Sequence, residues 1–187
     1  DYNTPYSQVF TCNLVLEGLN KIDPGVYQRD WKETKGSALF MRSYAFFNLA
    51  QIFADAYDSE SPAKEGISMP LSTDISTVPA RATLQNTYDT IITHLTAALP
   101  LVARSITTRH LPSKPAVFAL LARVYLMKRD YTRAYAMADS CIQLHDSLLD
   151  FNTLNRSAKF PVPADNKEVL YQSWLSSFTN VILGRKE

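Results

Sequence analysis

Glycine is scarce in this chain, with 5 among 187 residues. Tight hairpins rely on residues that adopt positive φ, so this composition argues against a hairpin-rich β architecture. Cysteine is scarcer still: Cys12 and Cys141 stand far apart, each inside a helical apolar pattern. That placement reads as two buried thiols rather than a disulfide or a metal site. An excess of one charge is also missing, and a net charge of +1 leaves no electrostatic footprint for nucleic acid or an anionic membrane. No apolar run approaches the ~18 residues of a membrane span, and no basic, apolar leader opens the chain. Asp1 leads straight into YNTPYSQVF, so the numbering reads as starting inside a longer gene product. The missing leader therefore carries no information on export.

Catalytic signatures are missing too. The sequence has no phosphate-binding Gly-rich loop, no H-E-x-x-H, no C-x-x-C and no G-x-S-x-G. His94, His110 and His145 stand alone, without a second ligand at helical spacing, and read as surface or helix-end residues. The pairs Asp55/Asp58 and Asp146/Asp150 fall near helix ends, where carboxylates are ordinarily solvated; a glycosidase needs two held across a cleft. No catalytic residue, metal ligand or cofactor is assigned, and the chain reads as a non-enzyme.

What is present is helix. Apolar residues at 46% and charged residues at 20% describe an ordinary globular protein of one domain. Its centre of organisation is Ala116 to Leu144, AVFALLARVYLMKRDYTRAYAMADSCIQL. Phe118, Leu121, Ala122 and Tyr125 share one face of a 3.6-residue period. Lys128-Arg129-Asp130 forms a turn, with Asp130 as N-cap of the following helix. Ala122, Ala134 and Cys141 recur at intervals of 12 and 7, with Tyr131 at the elbow. That is the small-residue spacing of a tetratricopeptide (TPR) unit, whose antiparallel helices touch only where side chains are small.

Ahead of this pair, a first helix is expected over Ser7–Ile22, with Val9, Cys12, Val15, Leu16 and Leu19 as its apolar side and Asn13 on the other flank. A long second helix runs from Asp30 to about Tyr57, apolar nearly all round from Ala38 onward, and a third over Thr83–Leu99 with Thr83 as N-cap. Ser113 is the expected N-cap of the fourth. Residues 58–82 lack a sustained period and form a loop of roughly 25 residues where a plain TPR needs a few; loops that long are usually functional. Gly66–Leu71 inside it reads as a short extended piece, and Glu168–Ser176 as a short terminal strand. The fold class is all-α: TPR-like antiparallel helix pairs, about five main helices, with an inserted loop and that strand.

Five stretches, in order, resemble one family. LFMRSYAFFNLAQIFADAYD at Leu39–Asp58 is similar to the arginine-bearing helix of the SusD/RagB family, with Arg42 on the family arginine. GISMPL at Gly66–Leu71, RATLQNTYDTIITHLTAAL from Arg81, RHLPSKPAVFALLARVYLMKRDYTRAYAMADSCI from Arg109 and NKEVLYQSW at Asn166–Trp174 follow. Departures include Ser37, Asn86 and His94 at positions usually acidic, and Arg129 where glycine is common. The resemblance implies that residues 1–187 are the N-terminal, TPR-bearing domain of a nutrient-binding lipoprotein on the outer face of a Gram-negative outer membrane. Such a protein holds a glycan, or an oligopeptide, and delivers it to a TonB-dependent transporter without catalysis. Its membrane attachment is an N-terminal lipid anchor outside this chain. The TPR helices serve as scaffold and transporter-facing surface, and no sugar-binding residue carries over. The alternative is a TPR adaptor for a peptide or protein partner, which should repeat regularly at about 34 residues.

Sugar binding calls for flat aromatic faces beside polar groups. The candidates are Tyr57, at the mouth of the long loop, and Trp174 in the terminal strand, with Tyr27 and Trp31 before the second helix. Arg42 is either a cation lining a groove or a structural arginine, its stem on Phe46 and its fork on a carboxylate.

Overall fold

The computed structural model describes residues 3–173, except 59, 61, 62, 77, 78, 107, 164 and 165. Its helices are α1 (Asn3–Asn20), α2 (Gln28–Phe53), α3 (Leu84–Ala98), α4 (Lys114–Met127) and α5 (Tyr131–Leu144). The helical architecture matches the expectation. The second half of α2 is the hub, because its apolar residues are distributed around the whole helix rather than along one stripe. Phe40, Ala45, Phe46, Phe47, Leu49 and Ala50 are all buried, as are Leu84, Ile91 and Leu95 of α3 and Val117, Leu121 and Val124 of α4. At about 1.5–3 kcal/mol per fully buried large side chain, this shared cluster is the main favourable term in packing. α2 stops earlier than expected. Ala54 turns extended, with its N–H on the Ala50 carbonyl, so Tyr57 lies beyond the helix.

The α4–α5 pair closes as the small-residue spacing requires, with Ala134 and Cys141 buried at the contact. The turn is a Schellman arrangement: Arg129 N–H donates to the Leu126 carbonyl and Asp130 N–H to that of Tyr125. Arg129 sits at φ +57°, the left-handed region where a Cβ is unfavourable. Asp130 caps α5 by accepting from Arg133 N–H at 3.1 Å, and Thr83 caps α3 through Asn86 N–H. Ser113 departs from expectation. Its backbone is extended as an N-cap should be, but its hydroxyl makes no cap bond and is buried without a partner.

The inserted loop is part of the core, not a flap. β1 (Glu65–Ser68) pairs antiparallel with β2 (Arg81–Thr83), Glu65 opposite Thr83 and Ser68 opposite Arg81. Ile67 is 2% exposed within the main cluster. Gly66 permits that approach, since a Cβ there would clash with Thr87 Oγ1 and stand 2.9 Å from the Thr83 carbonyl oxygen. Side chains then fasten the loop to the helices. Tyr6 OH donates to the Ser68 carbonyl, Asn13 Nδ2 to those of Pro70 and Ser72, and Arg81 to those of Gly66 and Phe53.

The expected terminal strand is not formed over 168–173. That segment is irregular, and the remainder of the expected strand lies outside the described residues. Leu170 and Tyr171 pack on the core, Tyr171 edge-on to Phe40 at 4.9 Å, and Gln172 N–H donates to the Arg109 carbonyl. Anchoring by aromatic contact and one backbone bond needs no strand partner. Among the described residues, no helix is long and apolar enough to cross a membrane.

Two substitutions test the helix pair. Ala134→Leu should overpack the α4–α5 contact and lower unfolding free energy by about 1–3 kcal/mol. Arg129→Gly should raise it by about 0.5–1 kcal/mol by relieving the left-handed residue. Urea denaturation of both variants beside the parent chain reads the two signs directly.

Candidate functional site

Two clefts hold expected candidates, Tyr57 and Arg42. The first, of about 360 Å³, opens where α2 ends and is lined by Gln51, Asp55, Tyr57, Tyr88, Arg129 and Tyr131 among others. Tyr57 is half-buried there and heavily engaged. Its hydroxyl donates to Gln85 Oε1, its ring meets Tyr88 edge-on at 5.5 Å, and Lys128 Nζ stands 5.4 Å from the ring centroid. Lys128 also pairs with Asp89 at 2.8 Å, and Gln85 Nε2 donates to that same carboxylate. Tyr57 is therefore held rigidly. Burial raises Tyr88 above the ordinary phenol range, and its hydroxyl accepts from Gln51 at 2.9 Å. Tyr131, by contrast, is 64% exposed at the lip.

The second cleft, about 560 Å³, lies between α1, α2, α3 and the loop and includes Asn13, Glu17, Lys35, Arg42, Thr73 and His94. Arg42 is 6% exposed at its floor. Its fork does not find the expected carboxylate. Nη1 donates to Asn13 Oδ1 at 2.8 Å, and Nη2 lies 3.2 Å from His94 Nε2. Glu17, the acid lining this cleft, is committed to Thr73 and then Lys21, which hold its carboxyl below the usual range. His94 thus departs from the surface position expected of it: one turn before the end of α3, it is half-buried against a cation. Burial, and then the Arg42 charge, depress it to about 4. Cys12, close by, is a buried neutral thiol pushed up to about 11 by burial. Cys141 is buried as well, its Sγ donating to the Pro115 carbonyl.

Comparison with known proteins decides the family. The SusD-like family described as "starch-binding associating with outer membrane" matches residues 1–126. The chain belongs to this SusD-like family. A SusD superfamily protein from Bacteroides thetaiotaomicron superposes with TM-score 0.75 at 25% identity, over 81% of this chain and 34% of that one. A SusD-like carbohydrate-binding protein from Bacteroides vulgatus gives 0.69 at 23%, over 78% and 31%. A laminarin-binding SusD-like protein gives 0.65 at 18%, over 79% and 32%. The chain thus spans about a third of the length of these solved structures. No curated protein matches it.

The remaining aromatic candidates of this SusD-like chain scatter. Trp31 donates to the Leu19 carbonyl at 3.0 Å under Lys35, and Tyr27 is exposed at the other end of α2 from Tyr57. Trp174 lies outside the described residues. Sequence reasoning missed Tyr88, Arg129 and Tyr131 as neighbours of Tyr57. The signal was available in part, since the helix-pair turn that carries Arg129 and Tyr131 was legible, but not that α2 would end against it.

The His94 shift has a definite sign. Its folded value, about 4, lies below the ordinary 6.5, so the unfolded chain takes up this proton first. The contribution to stability is whole above about pH 6.5 and is lost as pH falls toward 4, roughly 3 kcal/mol in all. Imidazole NMR should show a neutral ring down to about pH 4. His94→Gln should flatten the acid side of the stability–pH curve.

Proposed function

We propose that this chain is the TPR-like scaffold of a non-catalytic glycan-binding protein at the bacterial outer membrane, one that hands its ligand to a TonB-dependent transporter. The observation that carries the proposal is the family match across residues 1–126, on a fold that superposes on SusD superfamily structures. In this reading the protein is a surface lipoprotein whose lipid anchor lies outside this chain. The helices supply rigidity, the loop at 58–82 supplies transporter-facing surface, and ligand contacts from this part fall on the Tyr57 cleft or on Trp174. Leu71 and Ile75 support the docking role, being 48% and 82% exposed on a loop that is otherwise tied down.

Because Ile67 and the Asn13 bonds make the loop structural, deleting it would unfold the protein rather than test docking. Surface substitution is the cleaner experiment. Ile75→Asp with Leu71→Asp should leave the melting midpoint unchanged and weaken co-purification with the cognate transporter. On a glycan panel, retention without product is the expected result. Tyr131→Ala should weaken any glycan held by the Tyr57 cleft by about 0.5–1.5 kcal/mol, the worth of one aromatic contact. Release of shorter sugars would overturn the non-catalytic reading, and selective retention of peptides would favour an adaptor.

A further inference from the structure

Arg129 is a strained residue whose side chain has no work inside the fold. Among the described residues it is the one non-glycine at positive φ, +57°, where the turn between α4 and α5 would hold glycine with less strain. Its side chain is exposed, and among the described residues it makes no ion pair or hydrogen bond. Nothing within the chain compensates the placement. Residues held in such backbone regions concentrate at ligand sites.

Arg129 lines the Tyr57 cleft, and so does Asp55. They are the two charged residues of that lining, opposite in sign, and no ion pair joins them. Asp55 is exposed as well, and Lys64, which feels its charge, is bonded instead to Asp58 at 2.9 Å. A carboxylate only accepts and a guanidinium only donates, so a complementary ligand must do both. A hydroxyl does both in one group. Opposite charges on one lining also give no net preference for an acid or an amine. Tyr131 adds a ring that is 64% exposed at the lip, a surface suited to the C–H face of a pyranose. A zwitterion meets the two charges too, but exposed ion pairs contribute little and the ring is left unused. The cleft, at about 360 Å³, is at the small end of the roughly 300–1,000 Å³ of small-molecule sites. It fits the end of a saccharide rather than the run of a long chain.

We propose that Arg129 and Asp55 are the polar ligand contacts of the Tyr57 cleft, which takes the end of a neutral saccharide. Arg129 donates to, and Asp55 accepts from, hydroxyls of a sugar ring resting on Tyr131. The inference rests on the glycan-binding reading above and names the ligand class and contact residues of that same cleft.

The test is a titration of the ¹⁵N-labelled chain near pH 7 with maltose and lactose, beside glucuronate, glucosamine and glycine. Backbone amides of Asp55, Arg129 and Tyr131 should shift saturably with a neutral disaccharide and not with glycine. Arg129→Gly, which should stabilise the fold, and Asp55→Asn should each weaken that disaccharide by roughly tenfold. Binding lost while stability rises separates a ligand contact from a structural residue. The variants should also diverge in charge preference. Without Arg129 the remaining carboxylate favours glucosamine over glucuronate, and without Asp55 the order reverses. Tyr135→Ala, at an exposed residue outside this lining, should bind as the parent does. Parent-like affinity in both charge variants would overturn the assignment while leaving glycan binding elsewhere on the chain intact. Glycine bound as well as the disaccharides would overturn the ligand class. No response to either disaccharide would overturn the site, and co-purification with the transporter would then decide the broader reading on its own.

Discussion

Arg42 is the interaction on which the rest of the arrangement depends. From the centre of α2 it reaches α1 through Asn13 and α3 through His94. Asn13 then spends its amide protons on the Pro70 and Ser72 carbonyls of the inserted loop. One buried cation thereby sets the mutual positions of three helices and a loop that apolar packing alone would let slide. Apolar burial is non-directional, whereas a desolvated fork with fixed donor directions is not. The node is a source of registry more than of net stability, because desolvating an arginine offsets much of what its hydrogen bonds return.

Much of the fold was legible because it rests on periodicity and small residues. The α4–α5 pair could be read from Ala122, Ala134 and Cys141, its turn from Lys128-Arg129-Asp130, and the α3 cap from Thr83. Each is a local or singly repeated signal that survives without knowledge of tertiary neighbours. The loop was legible only as an absence of period. Its attachment runs through backbone carbonyls at Gly66, Ser68, Pro70 and Ser72, which any residue type supplies, so no sequence pattern announces it. The same reason hid the irregular course of 168–173, held by Tyr171 against Phe40 and by a main-chain bond to Arg109.

The site residues were harder for a different reason. Residue type flagged Arg42 and Tyr57, and both lie in clefts, but type does not reveal what a side chain already spends its bonding capacity on. Tyr57 is an aromatic near a loop mouth by sequence; in space its hydroxyl, one ring edge and a nearby ammonium bind it to α3 and the α4–α5 turn. Of the two readings of Arg42, it lines a cleft and is also structural, but its fork meets Asn13 and His94 rather than a carboxylate. The departure at His94, a position where an acid is usual, was visible in the sequence. Its consequence was not, because linking residue 94 to residue 42 requires the packing of α3 on α2.

Those two clefts divide the molecule's chemistry in a way that follows from their wiring. Around the Tyr57 ring the polar groups are matched: its hydroxyl donates to Gln85, Asp89 pairs with Lys128, and Gln51 donates to Tyr88. A region so satisfied is rigid, and a rigid aromatic lip is what a glycan needs in order to bind with little ordering cost. Around Arg42 the reverse holds, since two donors and a positive charge are left over. Leftover donors in a buried setting weaken a fold, so the Arg42 node costs stability that the apolar packing around it offsets. Rigidity at one cleft and deficiency at the other are then separate requirements, met on opposite ends of the same α3 helix: Tyr88 near its start, His94 near its close.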